Sequence, residues 1–365
     1  MVGVFIIIVS SFFLSLIAVA LILRLSHKNS WYDHVNERKI HTGDIPRLGG
    51  IGFASSFIIF AFVINFSAAE SDFGLRFLPC LAALVLILVT GVYDDFRPLS
   101  SRYKLLIQII AALCVIIPGY TFRRIFYFDA GFPLVPGVVR YAVTFLWIVG
   151  LTNAVNFIDG VDGLAGGISF LTAIGFAVIF ISFSDAKFTM LICLCLAAAL
   201  LGFLVFNAPF PRAKIFMGDG GSQFLGFTLA LIPLVGEGDR AVSLPVLNAA
   251  ALLSIPIFDT ISAIWRRIRD GRRIDSPDRA HIHHKLMNIG FSVRGVDTLL
   301  FSVQLVLGVL VYFSVRLRGL SALVTLVSAY MTTIVLFAAV HFVHRGTFRR
   351  NPAASGAEVS GAAES

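Results

Sequence analysis

NAVNFIDGVDGLAGG, residues 153–167, stands between two stretches that are almost entirely apolar. It places Asn153, Asn156, Asp159 and Asp162 where the neighbouring sequence carries hydrocarbon. Each flank is long enough to read as a membrane span, over 138–154 and 164–183. Polar groups at membrane depth are costly and generally line a cavity or a pathway. The insert therefore separates a passive apolar bundle from one built around chemistry.

Of the 365 residues, 58% are hydrophobic and 14% charged, with a mean hydropathy of +0.89. Soluble domains average about 45–50% apolar and about 25% charged. Apolar runs of membrane-crossing length recur. The hydropathy pattern predicts an all-α, polytopic membrane protein with eleven spans. Besides the two above, they cover 3–25, 48–66, 75–91, 104–118, 188–206, 221–235, 244–265, 297–315 and 320–343. The run Gly3–Leu23 lacks a basic leader and a small-residue cleavage site, so it reads as a retained anchor rather than a secretory signal. Residues 1–350 are expected to form a single transmembrane domain that carries whatever chemistry the chain performs, and 351–365 read as a disordered tail. Cys80, Cys114, Cys193 and Cys195 lie inside apolar runs and suggest neither a disulfide framework nor a metal site.

With the N-terminus outside, twenty of the 29 Lys and Arg fall on the inner loops and eight on the outer ones. This fits the positive-inside rule and puts the C-terminus in the cytoplasm. The same rule accounts for the net charge of +8, so membrane lipid is the expected partner and nucleic acid is not.

In that topology the polar clusters share the cytoplasmic face. GVYDDFRPLS carries Asp94 and Asp95, the central insert carries Asp159 and Asp162, and IFMGDGGSQ carries Asp219 among glycines. The basic loop WRRIRDGRRIDSPDRAHIHHKL carries Arg279, His281, His283 and His284. NERKIHTGDIPRLGG, with Lys39 and His41, precedes the second span. Taken singly, each has a bland reading: solvated helix ends, aspartate caps, or basic loops facing anionic lipid. Together they gather five acids from three segments with one Arg/His loop. Carboxylate oxygens suit Mg²⁺, guanidinium and imidazolium suit phosphate, and glycines let backbone N–H groups approach it. The combination reads as metal-assisted phosphoryl chemistry in a cleft at the cytoplasmic face.

Five blocks in order, RKIHTGDIPRLGG, VYDDF, NAVNFIDGVDGLAGG, FMGDGGSQFLG and DRAHIHHKL, resemble the polyprenyl-phosphate N-acetylhexosamine-1-phosphate transferases. That group holds the WecA-type and TagO-type enzymes and, more distantly, the MraY translocase. The resemblance spans about residues 40 to 350. It implies transfer of a sugar-1-phosphate from a UDP-N-acetylhexosamine to undecaprenyl phosphate, with release of UMP, in the bacterial inner membrane. It implies Mg²⁺ as cofactor, with Mn²⁺ as the alternative ion, and a homodimer. Carried onto this chain, it makes Asp94, Asp95, Asp159 and His281 catalytic, and Asp219 with Asp94 and Asp95 the metal ligands. Substrate contacts fall to Lys39, Asn156, Gly160, Val161, Asp162, Asn207, Phe216, Arg279, His283 and His284. The order His281-Ile282-His283-His284 departs from the three consecutive histidines of the translocase branch, which disfavours a muramyl-pentapeptide donor.

Two readings from other classes compete. A secondary transporter also carries acids in glycine-broken helices, but here the acids gather at one face and no inverted repeat is visible. A non-catalytic scaffold has no need of the acidic motifs. Asp259, inside a span, is expected either to face the cavity or to pair with an arginine.

Overall fold

The computed structural model describes residues 2–32, 45–67, 72–125, 137–183, 186–208, 212–235, 244–273, 276, 278 and 280–350. Lys39, His41, Arg279 and the tail 351–365 lie outside the described residues. Those described are all-helical. A helix occupies each of the eleven expected spans, in the order α1 (Val2–Asn29), α2 (Gly49–Ser67), α3 (Asp72–Phe96), α4 (Ser101–Ile116), α5 (Gly137–Ile158), α6 (Leu164–Phe180), α7 (Lys187–Asn207) and α8 (Gly218–Leu231). There follow α9 (Val246–Leu252), α10 (Ser254–Arg269), a short α11 (Ile282–Asn288), α12 (Val293–Arg316) and α13 (Gly319–Arg350). Seven of them (α1, α2, α3, α5, α7, α12 and α13) are long and apolar enough to cross a membrane, and α9 with α10 would make an eighth. The chain is a polytopic membrane protein.

Helix α8 is the axis of the bundle. Every residue of it is buried except Asp219 in its first turn. It packs on α3, α5 and α2, while α7 holds α1, α6 and α2 together alongside. Glycine makes this possible. A Cβ on Gly50 of α2 would strike the Gly221 backbone, one on Gly91 of α3 would strike Gly220, and one on Gly226 would strike Leu151 and Thr152 of α5. Between helices in lipid, where apolar burial drives little, such small-residue contacts supply the dispersion energy that holds backbones together. Phenylalanines Phe53, Phe57, Phe203 and Phe224 fill the space one turn further in. Cys80, Cys193 and Cys195 are buried, Cys114 is half-buried, and all four are free thiols, in accord with their apolar setting.

The expected span 244–265 is not continuous. It breaks at Leu253, where α9 and α10 meet at 87°. Pro256 is the cause: it has no N–H to give the Leu252 carbonyl four residues back, and its ring crowds that carbonyl. The freed oxygen is instead met by Gln304 Nε2 of α12 at 2.9 Å, so the break is satisfied inside the protein rather than by lipid.

Gln304 is 1% exposed. Gln304→Leu should leave the Leu252 carbonyl buried without a donor, at a cost of about 1–3 kcal/mol. The check is thermal unfolding in detergent. An unchanged midpoint would show that the break is held by something other than this bond.

Candidate active site

The start of α8 shows how the sequence builds the acidic site. MGDGG is a poor helix opener, and Gly218 adopts φ +75°, a region open to glycine at little cost. The first N–H groups of a helix have no internal acceptor. Asp95, at the end of α3, supplies one from across the bundle: its Oδ1 accepts the Asp219 N–H at 2.8 Å and its Oδ2 the Gly220 N–H at 3.0 Å. Both oxygens of Asp95 thus hold α8 in place. Its neighbour Asp94 points elsewhere, because adjacent helical residues are rotated by about 100°. Asp94 Oδ1 accepts the Leu99 N–H at 2.6 Å, and its Oδ2 contacts Lys104 Nζ of α4.

Lys104 is the centre of the cluster. Its ammonium also donates to Asp219 Oδ2 at 2.8 Å, so one cation bridges two carboxylates lying within hydrogen-bonding reach of each other. Asn156 Nδ2, from the last turn of α5, lies 3.4 Å from Asp219 Oδ1 and donates to Ser222 Oγ at 2.8 Å. Asp159 stands just past α5. Burial first, then the charges of Asp219 and Asp95, push its carboxyl up to about 7, with Arg47 pulling the other way. Beneath lies an amide layer: Gln108 Nε2 donates to Gln223 Oε1 at 3.2 Å, and Asn153 Nδ2 donates to Gln108 Oε1 at 2.7 Å. Asp94 is 4% exposed in its side chain against 29% for Asp219. Asp219 is therefore the acid a solute meets first.

Among the described residues, no three His, Cys, Asp or Glu side chains are grouped to hold a metal by themselves. The pair Asp94 and Asp219 nonetheless offers two carboxylates within reach of each other, and Lys104 Nζ, which now lies between them, would turn aside to admit an ion. That matches Mg²⁺, which takes one or two carboxylates and completes its shell with water and substrate phosphate.

The second half of the site comes from the loop between α10 and α12. Arg266 holds Asp278 through Nε at 3.2 Å and Nη2 at 2.8 Å, and Asp278 Oδ1 accepts the Ala280 N–H at 2.9 Å. This anchors the chain leading into α11. Among the described residues, buried Asp259 meets the histidine loop rather than an arginine. Its Oδ2 lies 2.7 Å from His281 Nδ1, and its Oδ1 accepts the Ile282 N–H at 2.8 Å. Phe157, next to Asn156, lies between the His281 ring and the Arg267 guanidinium. His283 is buried against Gly160, where a Cβ would collide with its Nε2. Burial, then His284, presses the His283 imidazole down to about 3. It is neutral at any physiological pH.

Several other expected substrate residues carry the walls. Asn207 Oδ1 accepts the Gly163 N–H at 3.1 Å and its Nδ2 donates to Ile215 O at 2.9 Å. Asp162 Oδ2 accepts the Ala213 N–H at 3.3 Å, and Val161 is buried. Phe216 joins two backbone strands of the site: its N–H donates to Pro46 O at 2.7 Å and its carbonyl accepts from Gly49 N at 2.9 Å. Lys104, Arg47 and Asp259 were missed as site residues. The first two read from sequence only as inner-loop charge.

The described bundle thus ends in an acidic, oxygen-lined cluster with its own cations, a setting suited to charged, phosphorylated groups. Comparison with known proteins gives the family. The model for glycosyl transferase family 4 matches residues 77–237. A probable undecaprenyl-phosphate N-acetylglucosaminyl 1-phosphate transferase of Bacillus subtilis is 37% identical over 294 residues, covering 79% of each chain. Undecaprenyl-phosphate alpha-N-acetylglucosaminyl 1-phosphate transferases of Yersinia pestis and Escherichia coli K12 are 32% and 31% identical. They cover 72% and 74% of this chain, and 71% and 73% of their own. The chain belongs to glycosyl transferase family 4.

The two aspartates of VYDDF should separate on substitution. Asp95→Asn sets an amide N–H₂ against one of two backbone donors and should lower stability by about 1–3 kcal/mol. Asp94→Asn can keep its oxygen on the Leu99 N–H while Lys104, part-exposed and still paired with Asp219, turns aside, so it should cost less stability than Asp95→Asn while lowering turnover far more. Paired melting and activity measurements check both, and equal loss of stability would refute the division.

Proposed function

We propose that this protein transfers N-acetylglucosamine-1-phosphate from UDP-N-acetylglucosamine to undecaprenyl phosphate, releasing UMP. The observation that carries the reading is the Asp94–Lys104–Asp219 cluster at the mouth of α8, in a chain whose relatives are named for this transfer. A lipid phosphate stays in the bilayer while its head reaches such a site, where a soluble nucleotide sugar can meet it.

In this reading an oxygen of the lipid phosphate attacks the phosphorus that bears the sugar, and the bond from that phosphorus to the UMP oxygen breaks. Asp219 and Asp94 would hold Mg²⁺, which supplies charge neutralisation on the diphosphate oxygens when bound. Lys104 and Arg47 set fixed positive charge beside the same oxygens. Asn156 orients Asp219, and Asp159 lies beside it. Gly160, Val161 and Asp162 form the floor for the uridine, with Asn207 and Phe216 shaping its wall, and His281 faces the sugar and diphosphate. The acceptor needs no strong base, because a phosphate monoester has a second pKa of about 6 and is largely ionised at neutral pH. Asp95 serves α8 rather than the reaction.

Eleven crossings with an external N-terminus and a cytoplasmic site belong to the same proposal. The charge asymmetry supports the orientation, and a helix in every expected segment supports the number. Helices α4, α6 and α8, at 16, 17 and 14 residues, are short beside the roughly 20 of a full crossing. Of these, α6 and α8 are interior helices, while α4 exposes Tyr103, Leu105, Leu106, Ile110 and Leu113 on its outer side.

The test is UMP release by purified protein given undecaprenyl phosphate, Mg²⁺ and one UDP-N-acetylhexosamine at a time. Acceptor-dependent, EDTA-sensitive release with UDP-N-acetylglucosamine is expected. Folded protein releasing no UMP from any donor would overturn the reading and favour ion-coupled transport. Asp219→Asn replaces a charged ligand by an amide and should cost on the order of 100-fold or more in Mg²⁺-dependent turnover. Near-normal activity at low Mg²⁺ would remove Asp219 from the metal.

A further inference from the structure

Asp259 is 2% exposed, lies on the buried side of the amphipathic helix α10, and is absent from the chemistry proposed above. A buried carboxylate is expensive unless each oxygen has a donor. Here each does, and the two donors differ in kind. The Ile282 N–H can only donate. The His281 ring nitrogen can donate or accept, and since an ionised carboxylate only accepts, Nδ1 must carry the hydrogen. A neutral imidazole has one N–H, so Nε2 is left as a lone pair. Among the described residues Nε2 has no hydrogen-bond partner, and it is not among the buried orphan atoms that include His283 Nδ1. Phe157 on one side and the parallel His283 ring, 5.9 Å away on another, keep the imidazole from turning.

We infer that Asp259 is a positioning residue: it fixes His281 in the tautomer that presents an Nε2 lone pair to the substrate. His281 then meets a hydrogen-bond donor, a sugar hydroxyl or acetamido N–H, and not a phosphate oxygen. The group is chosen by a carboxylate on another helix, 22 residues away in sequence. In its substrate this inference rests on the transferase reading; in its tautomer it does not.

Asp259→Asn tests it sharply, because asparagine has only one acceptor. The Ile282 N–H requires that acceptor, so the amide N–H₂ must face His281 Nδ1. The ring can then keep its hydrogen bond only by moving its own hydrogen to Nε2. The fold is retained and the tautomer reverses. With ¹⁵N-labelled histidine, the His281 signals (identified by their loss in His281→Gln) should show a protonated Nδ1 and bare Nε2 in wild-type protein at pH 8. Asp259→Asn should show the opposite. Kinetically, Asp259→Asn should raise KM for the UDP-sugar about 10–100-fold, since two donors then face each other, with a smaller change in kcat. Asp259→Glu, which keeps two acceptors, should recover part of the loss.

A protonated Nε2 in wild-type protein, as the other tautomer or as imidazolium, would overturn the inference, and this needs no variant to fold. So would an Asp259→Asn enzyme with unchanged or lowered KM, the result expected if Nε2 must donate to phosphate. If no donor sugar supports UMP release at all, the transferase reading fails while the tautomer result still stands on its own.

Discussion

The site depends on the enclosure of α8. A helix whose every residue but one is buried has no tolerance for rotation or slippage, since each neighbour touches it through glycine at near-backbone distance. Substituting any one of Gly50, Gly91 or Gly226 would push a helix outward, and with it the residue that helix brings to the cluster. Asp94 rides on the helix of Gly91, Asn156 on the helix that meets Gly226. The exception to burial, Asp219, sits at the helix N-terminus, where the partial positive charge of the backbone favours a carboxylate. Packing and electrostatics converge on one residue.

Helix α5 ties the two halves together. Its last turn carries Asn156 toward the acids and Phe157 toward the histidine loop, and the chain then passes through Asp159 to Gly160, which lies under His283. The insert that interrupts the apolar sequence is thus a hinge point between an acidic wall and an imidazole wall. Its glycine serves close packing rather than phosphate contact.

Much of this was legible in the sequence. Apolar runs longer than any soluble core needs gave the helices, and the aspartates stood out because membrane depth penalises them. What stayed hidden has physical reasons. Asp94 and Asp95 are adjacent and chemically alike; only the direction each takes around α3 separates an acid bound to lysine from one that caps another helix. Lys104 looked like a topology signal, because a positive charge at a span end has an ordinary explanation. The partner of Asp259 was not foreseen: five arginines follow it within 14 residues, but they lie along or beyond its own helix, while the histidine folds back to it. The break at Leu253 could have been read from Pro256, had the length of the apolar run not argued for continuity.

The start of α2 and the segment before α8 are tied by three main-chain bonds: the Phe216 N–H to Pro46 O, the Gly49 N–H to Phe216 O, and the Gly50 N–H to Met217 O. A connection of this kind is indifferent to side-chain identity. Leu48 and Met217 beside it are buried and packed, so their size is constrained, while the register of the mouth is set by the backbone and by the glycines that admit the opposing chain. Because the bonds that set this register are main-chain, changes in the half-buried side chains along the seam would leave the acids where they stand.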